Sequence, residues 1–389
     1  MSIEFRDLKR QYSHIKDAVD SNIQNVISGA HFIGGPEVKE LEKTLAGYTG
    51  RKYCITSANG TDAITIALKA AGIGSGDAVF VPDFTFFSSG ECPATVGATP
   101  VFVDVSASDY NIDPAALRAA VEKVKSEGQL RLAAVVAVDL FGHPFDYDAV
   151  RAICNEYNMI LLEDAAQGFG GEYTRADGTK MMAGALGDIS TTSFFPAKPL
   201  GCYGDGGAIF TDSDELNILC RSIAVHGKDM EHPEDPNAKY NNIRLGFNSR
   251  LDTVQAAVLL AKFPTFRDEE LDMVNHVAAR YTEKLADAEL VLPLIDKQYF
   301  SSWAQYTVQL PGGADRAAIQ AELKAAGIPT NIYYPKPMHT QGAFEDTRSA
   351  VANCPVTEKL CKNVLCLPIH PYLKDEEVDF IVEKLKAAL

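Results

Sequence analysis

An α/β fold, a mixed and mostly parallel sheet between helices with a smaller α+β unit after it, is predicted by three observations. From residue 53 to about 209, short apolar runs alternate with helix-like segments, the signature of a sheet covered on both faces. Beyond Asn248 that alternation gives way to a helix, a long charged helix, one strand and further helices. The length, 389 residues with 46% hydrophobic and 23% charged, supplies core enough for two such units. The expected division gives a large domain with an N-terminal arm over residues 1–247 and a small C-terminal domain over 248–389.

Each element has its own warrant. Strands are expected at 53–56, 78–81, 99–103, 132–138, 160–163, 189–195 and 207–211, short apolar runs among helix-like segments. Helices are expected at 61–71, 84–96, 114–126 and 147–158 from the spacing of their apolar residues. Asp113 before Pro114 makes an N-cap followed by a first-turn proline. In the second half 251–261, 266–288, 316–326 and 375–388 read as helices, the third closed by Gly327, and 304–310 reads as a strand. The proline-rich segment 327–339 reads as a loop or edge strand, and the polar stretch 228–242 as a loop.

Charge and cysteine usage narrow the function classes. The formal net charge is −16 and no block of Lys or Arg stands out, so the footprint of a nucleic-acid-binding protein is missing. An anionic ligand therefore needs a local cationic or amide-rich pocket. The eight cysteines are scattered without a CxxC pair and are expected to be buried thiols of a reducing compartment. The eight histidines show no HxxxH spacing, and no metal site is expected. The first residues lack the basic-then-apolar layout of a signal peptide and no apolar run reaches membrane-spanning length, so a cytoplasmic protein is expected.

Chemistry concentrates in the stretch from Ser193 to Gly207, where Lys198 stands between Pro196-Ala197 and Pro199 and is followed by Gly201, Gly204, Gly206 and Gly207. Prolines on both sides restrict the backbone, and a held, partly desolvated amine can condense with an aldehyde to a Schiff base. The same residues also fit a surface lysine on a hairpin turn. Four further positions gain meaning from their order. Asn59-Gly60-Thr61 opens a helix after a strand, either an anion cradle or a plain cap. Phe86 follows the next strand end and either stacks on a flat ligand or packs in the core. Asp164 should emerge at the carboxyl end of 160–163, where a carboxylate needs a cationic partner such as a protonated pyridine nitrogen, unless it caps the following helix. Ser193 ends the strand before Lys198, where its hydroxyl can join the cradle.

These residues, with Glu163-Asp164-Ala165-Ala166-Gln167, Asn248-Ser249-Arg250-Leu251-Asp252, Trp303-Ala304-Gln305-Tyr306-Thr307, Tyr334-Pro335 and His370-Pro371-Tyr372-Leu373, carry a family likeness. Essentially end to end, the chain resembles the sugar aminotransferases of the DegT/DnrJ/EryC1/StrS family, a fold type I pyridoxal-phosphate group acting on nucleotide-linked keto-sugars. Within it the chain is similar to the WbpE-like branch, which aminates C3 of a UDP-linked 3-oxo-N-acetylglucosaminuronic acid.

The resemblance implies pyridoxal 5′-phosphate as cofactor, L-glutamate as amino donor and a UDP-linked keto-sugar as acceptor, in a pathway of surface polysaccharide synthesis. It implies that Lys198 bonds the cofactor and shuttles the proton, that Asp164 pairs with the ring nitrogen, and that Gln167 contacts the phenolic oxygen. Phe86 would cover the ring, and Gly60, Thr61 and Ser193 would hold the phosphate. Asn248 would reach the phosphate in a neighbouring subunit, making a homodimer with shared sites. Arg250 would meet a sugar carboxylate, as a planar bidentate donor suits, or otherwise form a helix-start ion pair. Tyr334 would contact the sugar. Ala197, Tyr333 and Ala30-His31-Phe32 depart from the branch at positions near the sugar, so a C4 aminotransferase on another nucleotide sugar is an alternative acceptor reading. A sugar 3-dehydratase would carry His in place of Lys198. From another class, a non-catalytic cofactor-binding regulator would lack the full catalytic set.

Overall fold

The computed structural model describes residues 3–230, 232, 240–345, 350–351 and 353–389. Most of the polar stretch expected to be a loop, 231 and 233–239, lies outside the described residues. Two helices precede the sheet, α1 (Leu8–Gly29) and α2 (Pro36–Thr49). Then β1 (Tyr53–Ser57), α3 (Gly60–Ala70), β2 (Asp77–Pro82), α4 (Ser88–Thr95), β3 (Thr99–Val103), α5 (Pro114–Glu127), β4 (Arg131–Val138), α6 (Tyr147–Tyr157) and β5 (Ile160–Asp164) follow in alternation. The short β6 (Glu172–Thr174) and β7 (Lys180–Met182) leave the main sheet, and β8 (Ile189–Ser193), β9 (Gly207–Thr211) and α7 (Asp214–Ala224) return to it. The remainder holds α8 (Thr253–Thr265), α9 (Leu271–Leu285), β10 (Tyr299–Phe300), β11 (Tyr306–Gln309), α10 (Arg316–Ala325), β12 (Ala350–Val351), α11 (Pro355–Asn363), β13 (Val364–Leu367) and α12 (Asp375–Ala388).

The main sheet has eight strands in the order β1-β9-β8-β5-β4-β2-β3-β12. Only β9 runs against its neighbours β1 and β8, which makes the sheet mixed and mostly parallel. The period of two along each strand sorts side chains to two covering layers. Val79, Val81, Ala134, Val136 and Leu162 face α3, α4 and α7, while Ala78, Phe80, Val135, Ala137 and Leu161 face α5 and α6. Phe80 is fully buried, and a ring so placed contributes about 1.5–3 kcal/mol. Asp113 caps α5 by accepting from Ala116 N at 2.8 Å with Pro114 in the first turn, as the Asp-Pro pair predicts.

Several boundaries differ from expectation. The helix expected from 84 starts at Ser88, because Asp83–Phe87 is spent leaving the end of β2. The strand expected to 195 ends at Ser193, where the Lys198 loop begins. The helix expected at 251–261 runs Thr253–Thr265, carrying Pro264 in its last turn, and continues through a π-type stretch, Phe266–Glu270, into α9.

A second core joins α9, α10 and α12 to the antiparallel pair β11 and β13, with Tyr281, Tyr306, Leu323 and Leu385 fully buried. We propose that the second unit begins after Leu271 rather than at 248. Ala256, Leu259, Phe263 and Leu271 share a core with Leu41, Leu45, Phe194 and Phe210 of the first unit. All eight cysteines are buried thiols. Among the described residues no helix is long and apolar enough to cross a membrane.

Candidate active site

The carboxyl ends of β1, β8, β5 and β2 open on one edge of the sheet, and each delivers one of the residues singled out by sequence. At β1 the chain turns into α3, with the Asn59 side chain accepting from Asp62 N at 2.7 Å. The N–H groups of Gly60 and Thr61 belong to the first turn, where a helix has no carbonyl of its own to offer them. Gly60 is required for closeness: a Cβ there would lie 2.7 Å from Ser193 Cβ. Gly207 is required on the other side, since its Cβ would lie 2.5 Å from the Asn59 carbonyl oxygen. The two glycines thus press the α3 N-terminus against the end of β8. Ser193 Oγ accepts from Phe195 N at 3.3 Å, and the Thr61 and Ser88 hydroxyls share a 2.7 Å hydrogen bond.

Between β8 and β9 the chain makes a wide hairpin loop. Phe194 N donates to Gly206 O and Cys202 N to Phe194 O, both at 2.7 Å, closing the loop's neck. Lys198 lies on this loop, half-buried, with its own N–H donated to Phe195 O at 2.8 Å. Burial pushes the Lys198 ammonium below its ordinary range, Asp164 opposes that, and Arg6 adds to it. The hairpin and the held lysine are therefore both present, one carrying the other.

Asp164 is the last residue of β5 and is 6% exposed. Its Oδ2 accepts from Ser89 Oγ and its Oδ1 from Ala166 N, each at 3.1 Å. Burial raises the carboxyl above its usual range, with Lys198, Ala166 N and Ser89 pulling the other way. Such a group gains most from a further cation at its free lone pairs.

Gln167 is held at both ends, its Oε1 accepting from Phe141 N at 2.8 Å and its Nε2 donating to Tyr334 OH at 3.1 Å. Ser302 Oγ donates to the Gln167 carbonyl at 2.7 Å. Burial pushes the Tyr334 phenol above its usual range. Its loop is anchored by the buried Asp83, which accepts from His339 N at 2.8 Å and pairs with His339 Nδ1 at 2.7 Å. Phe86 is 53% exposed and lies with its ring centroid 6.5 Å from that of Tyr334. Tyr333 is half-buried against Phe5, its hydroxyl accepting from Asn331 Nδ2 at 3.2 Å.

Other expected residues gather elsewhere. Asn248 and Arg250 are exposed and pair with each other, Arg250 Nη2 donating to Asn248 Oδ1 at 2.5 Å, while Ser249 between them is buried and accepts from Ala58 N. Ala30 and Phe32 are exposed on the turn between α1 and α2, where the Phe32 carbonyl accepts from Thr253 N at 2.9 Å. Ala197 is exposed at the tip of the lysine loop. Sequence reasoning missed Ser88, Ser89 and Ser302. Serines are common at helix starts and in loops, and only their position three residues or fewer after Phe86 could have marked the first two.

A carboxylate that seeks a cation, a lysine in reach of its field and an amide-rich cradle together suit a flat, cationic ring bearing a phosphate and a carbonyl. Comparison with known proteins agrees. The family model described as the DegT/DnrJ/EryC1/StrS aminotransferase family matches residues 13–386. The chain is 44% identical, over 98% of its length and 99% of the other's, to the UDP-2-acetamido-2-deoxy-3-oxo-D-glucuronate aminotransferase of Pseudomonas aeruginosa. It superposes on a DegT DnrJ EryC1 StrS aminotransferase from Brucella abortus with a TM-score of 0.92 and 42% identity, covering 99% of both chains. A Bacillus subtilis protein solved with bound cofactor PMP matches with a TM-score of 0.86 and 28% identity, over all of this chain and 85% of that one.

Proposed function

Because the chain belongs to the DegT/DnrJ/EryC1/StrS aminotransferase family, pyridoxal-phosphate-dependent enzymes of sugar amination, we propose that it transfers the amino group of L-glutamate to C3 of UDP-2-acetamido-2-deoxy-3-oxo-D-glucuronate. The 44% identity along nearly all of the chain to an enzyme named for that substrate supports the acceptor. The observation that carries the chemistry is the buried Asp164 facing Lys198, beside the cradle that Gly60 and Ser193 form.

The residues fit the cofactor. When bound, pyridoxal phosphate supplies an aldehyde for an amine and a ring that draws electrons from the adjoining carbon. Asp164 keeps the ring nitrogen charged, and Ser89 and Ala166 N hold its carboxylate in line. The α3 N-terminus, Thr61 and Ser193 receive the phosphate. Lys198 Nζ, favoured as the neutral amine by burial, takes and returns a proton at the substrate carbon. Gln167 orients the phenolic oxygen, Phe86 covers the ring, and Tyr334, tied to Gln167, joins sugar recognition to the ring's position.

Arg250 meets the carboxylate common to glutamate and a uronate sugar. In this reading the working unit is a homodimer, with Asn248 of one chain reaching the phosphate in the other and Ala30, Phe32, Ala197 and Tyr333 near the sugar. The exposed apolar side chains of Phe32, Ile33, Phe195 and Leu245 support such an interface. The test is mass spectrometry of the product from glutamate and UDP-2-acetamido-2-deoxy-3-oxo-D-glucuronate. The expected product carries an amine in place of the C3 carbonyl oxygen. Turnover of a 4-keto nucleotide sugar alone would replace this acceptor.

A further inference from the structure

Beneath the Lys198 loop lies a cluster that the proposed chemistry does not use. Arg6, on the segment before α1, donates from Nη2 to the Lys198 carbonyl at 3.1 Å. Lys262, on α8 and only 2% exposed, donates from Nζ to the Gly201 carbonyl at 2.5 Å and lies 5.3 Å from the centre of the Tyr203 ring. The two cations hold carbonyls at the lysine and three residues beyond it. The buried Glu270 stands against both, with Gln11 Nε2 and Tyr372 OH donating to its Oε1 at 2.8 Å each. Arg6, Pro199, Glu270 and Ser302 also line a small cavity of about 10 Å³ under the loop. A lysine buried in this way is costly unless it is paired and hydrogen-bonded, which Glu270 and the Gly201 carbonyl provide.

We infer that Arg6 and Lys262 are positioning residues for Lys198: both clamp its loop by the carbonyls, and Arg6 adds positive charge near its amine. The inference rests on reading Lys198 as the reactive amine. Burial lowers Arg6 to about 10 and Lys262 to about 8, so at neutral pH both stay charged, against the one carboxylate of Glu270. The groups facing this region are Asp164 from the end of β5, Cys202 and Tyr203 from the loop itself, Asp7 from the segment before α1, and His370 and Tyr372 from the segment before α12. His370 is lowered to about 4, chiefly by burial, and is neutral. Surplus positive charge favours the neutral form of a nearby amine, and the grip on the carbonyls fixes the direction from which Nζ approaches.

The test is a pH titration of the visible absorbance of the cofactor-loaded enzyme, with steady-state kinetics beside it. In R6M the absorbance midpoint should rise by about 1 pH unit. Its kcat should fall about 10-fold while the KM for glutamate stays within about twofold, since loop placement and not substrate binding is lost. R6K should restore most of both, and K262M should move the midpoint the same way by less. E270Q removes a negative charge while leaving Arg6 charged and should move the midpoint down, a sign that loosened packing would not give, and it carries the test if R6M fails to fold. An unmoved midpoint in R6M or E270Q overturns the inference, as does a raised glutamate KM in R6M with kcat kept, which would make Arg6 a substrate group. Borohydride reduction followed by peptide mass mapping checks the underlying reading separately. Absence of cofactor on Lys198 removes both that reading and the inference, whereas cofactor on Lys198 with an unmoved midpoint removes the inference alone.

Discussion

The inner and outer halves of the candidate site are built differently. Gly60, Ser193 and Asp164 sit at strand ends or a helix start and Gln167 in the turn after β5, and all are pinned by hydrogen bonds or close packing within the chain. Asn248, Arg250, Ala30, Phe32 and Ala197 are exposed, and Arg250 has Asn248 as its partner. The inner half is held in place by contacts within one chain. The outer half is exposed, and in the proposed homodimer it is the part that would meet the sugar and the second chain. Chemistry is thus assigned to the rigid edge of the sheet and specificity to loops on its rim.

The largest break should come from the inner half. Lys198→Ala should lower kcat by at least about 10³-fold and remove borohydride-fixable cofactor, as read by turnover and intact mass.

Asp164→Asn should cost about 10²–10³-fold in kcat. It should also separate function from stability. Burial raises the Asp164 pKa above its unfolded value, so the folded, cofactor-free protein binds the extra proton and its stability falls as pH rises from the unfolded toward the folded value. Removing the charge should therefore raise the Tm of cofactor-free protein by about 2 °C at pH 7, and the gain should vanish toward pH 4. An unchanged or lower Tm at pH 7 would mean that Lys198 compensates the carboxylate fully.

The outer half should respond in binding. Arg250→Ala should raise the KM for a uronate acceptor about 10–100-fold with kcat changed far less. If the glutamate half-reaction, followed by its absorbance change, stays at native strength, Arg250 serves the sugar only. The smallest effect belongs to Ser89→Ala, which removes one of the two hydrogen bonds to Asp164. A loss of a few-fold in kcat is expected, with the absorbance midpoint displaced slightly, and Ser89→Thr should restore both.

Some of the site was legible because it depends on local order. A lysine between prolines, an Asp directly after an apolar run and an Asn-Gly-Thr at a strand-to-helix turn each declare a backbone geometry within a few residues. The strand order β1-β9-β8-β5 then brings their strand ends to one edge, where residues 60, 164, 193 and 198 gather. The N-terminal helices were not legible in this way. α1 buries only Gln11, Ile15, Val19 and Val26 of its 22 residues, and its place against α8 depends on packing. Boundaries slipped where the chain left a strand, as at Asp83–Phe87, because turn geometry competes with apolar spacing.

By itself, then, the sequence determined the layered α/β architecture and the residues at its carboxyl edge, since period and local turn chemistry carry both. Only the tertiary structure decided how the reactive loop is held. Arg6 reaches Lys198 across 192 residues and Lys262 reaches Gly201 across 61. Ser89 meets Asp164 across 75. Contacts over such separations leave no mark on the spacing of either partner, and an arginine near a terminus or a lysine on an apolar helix gains its role only when the fold removes water around it.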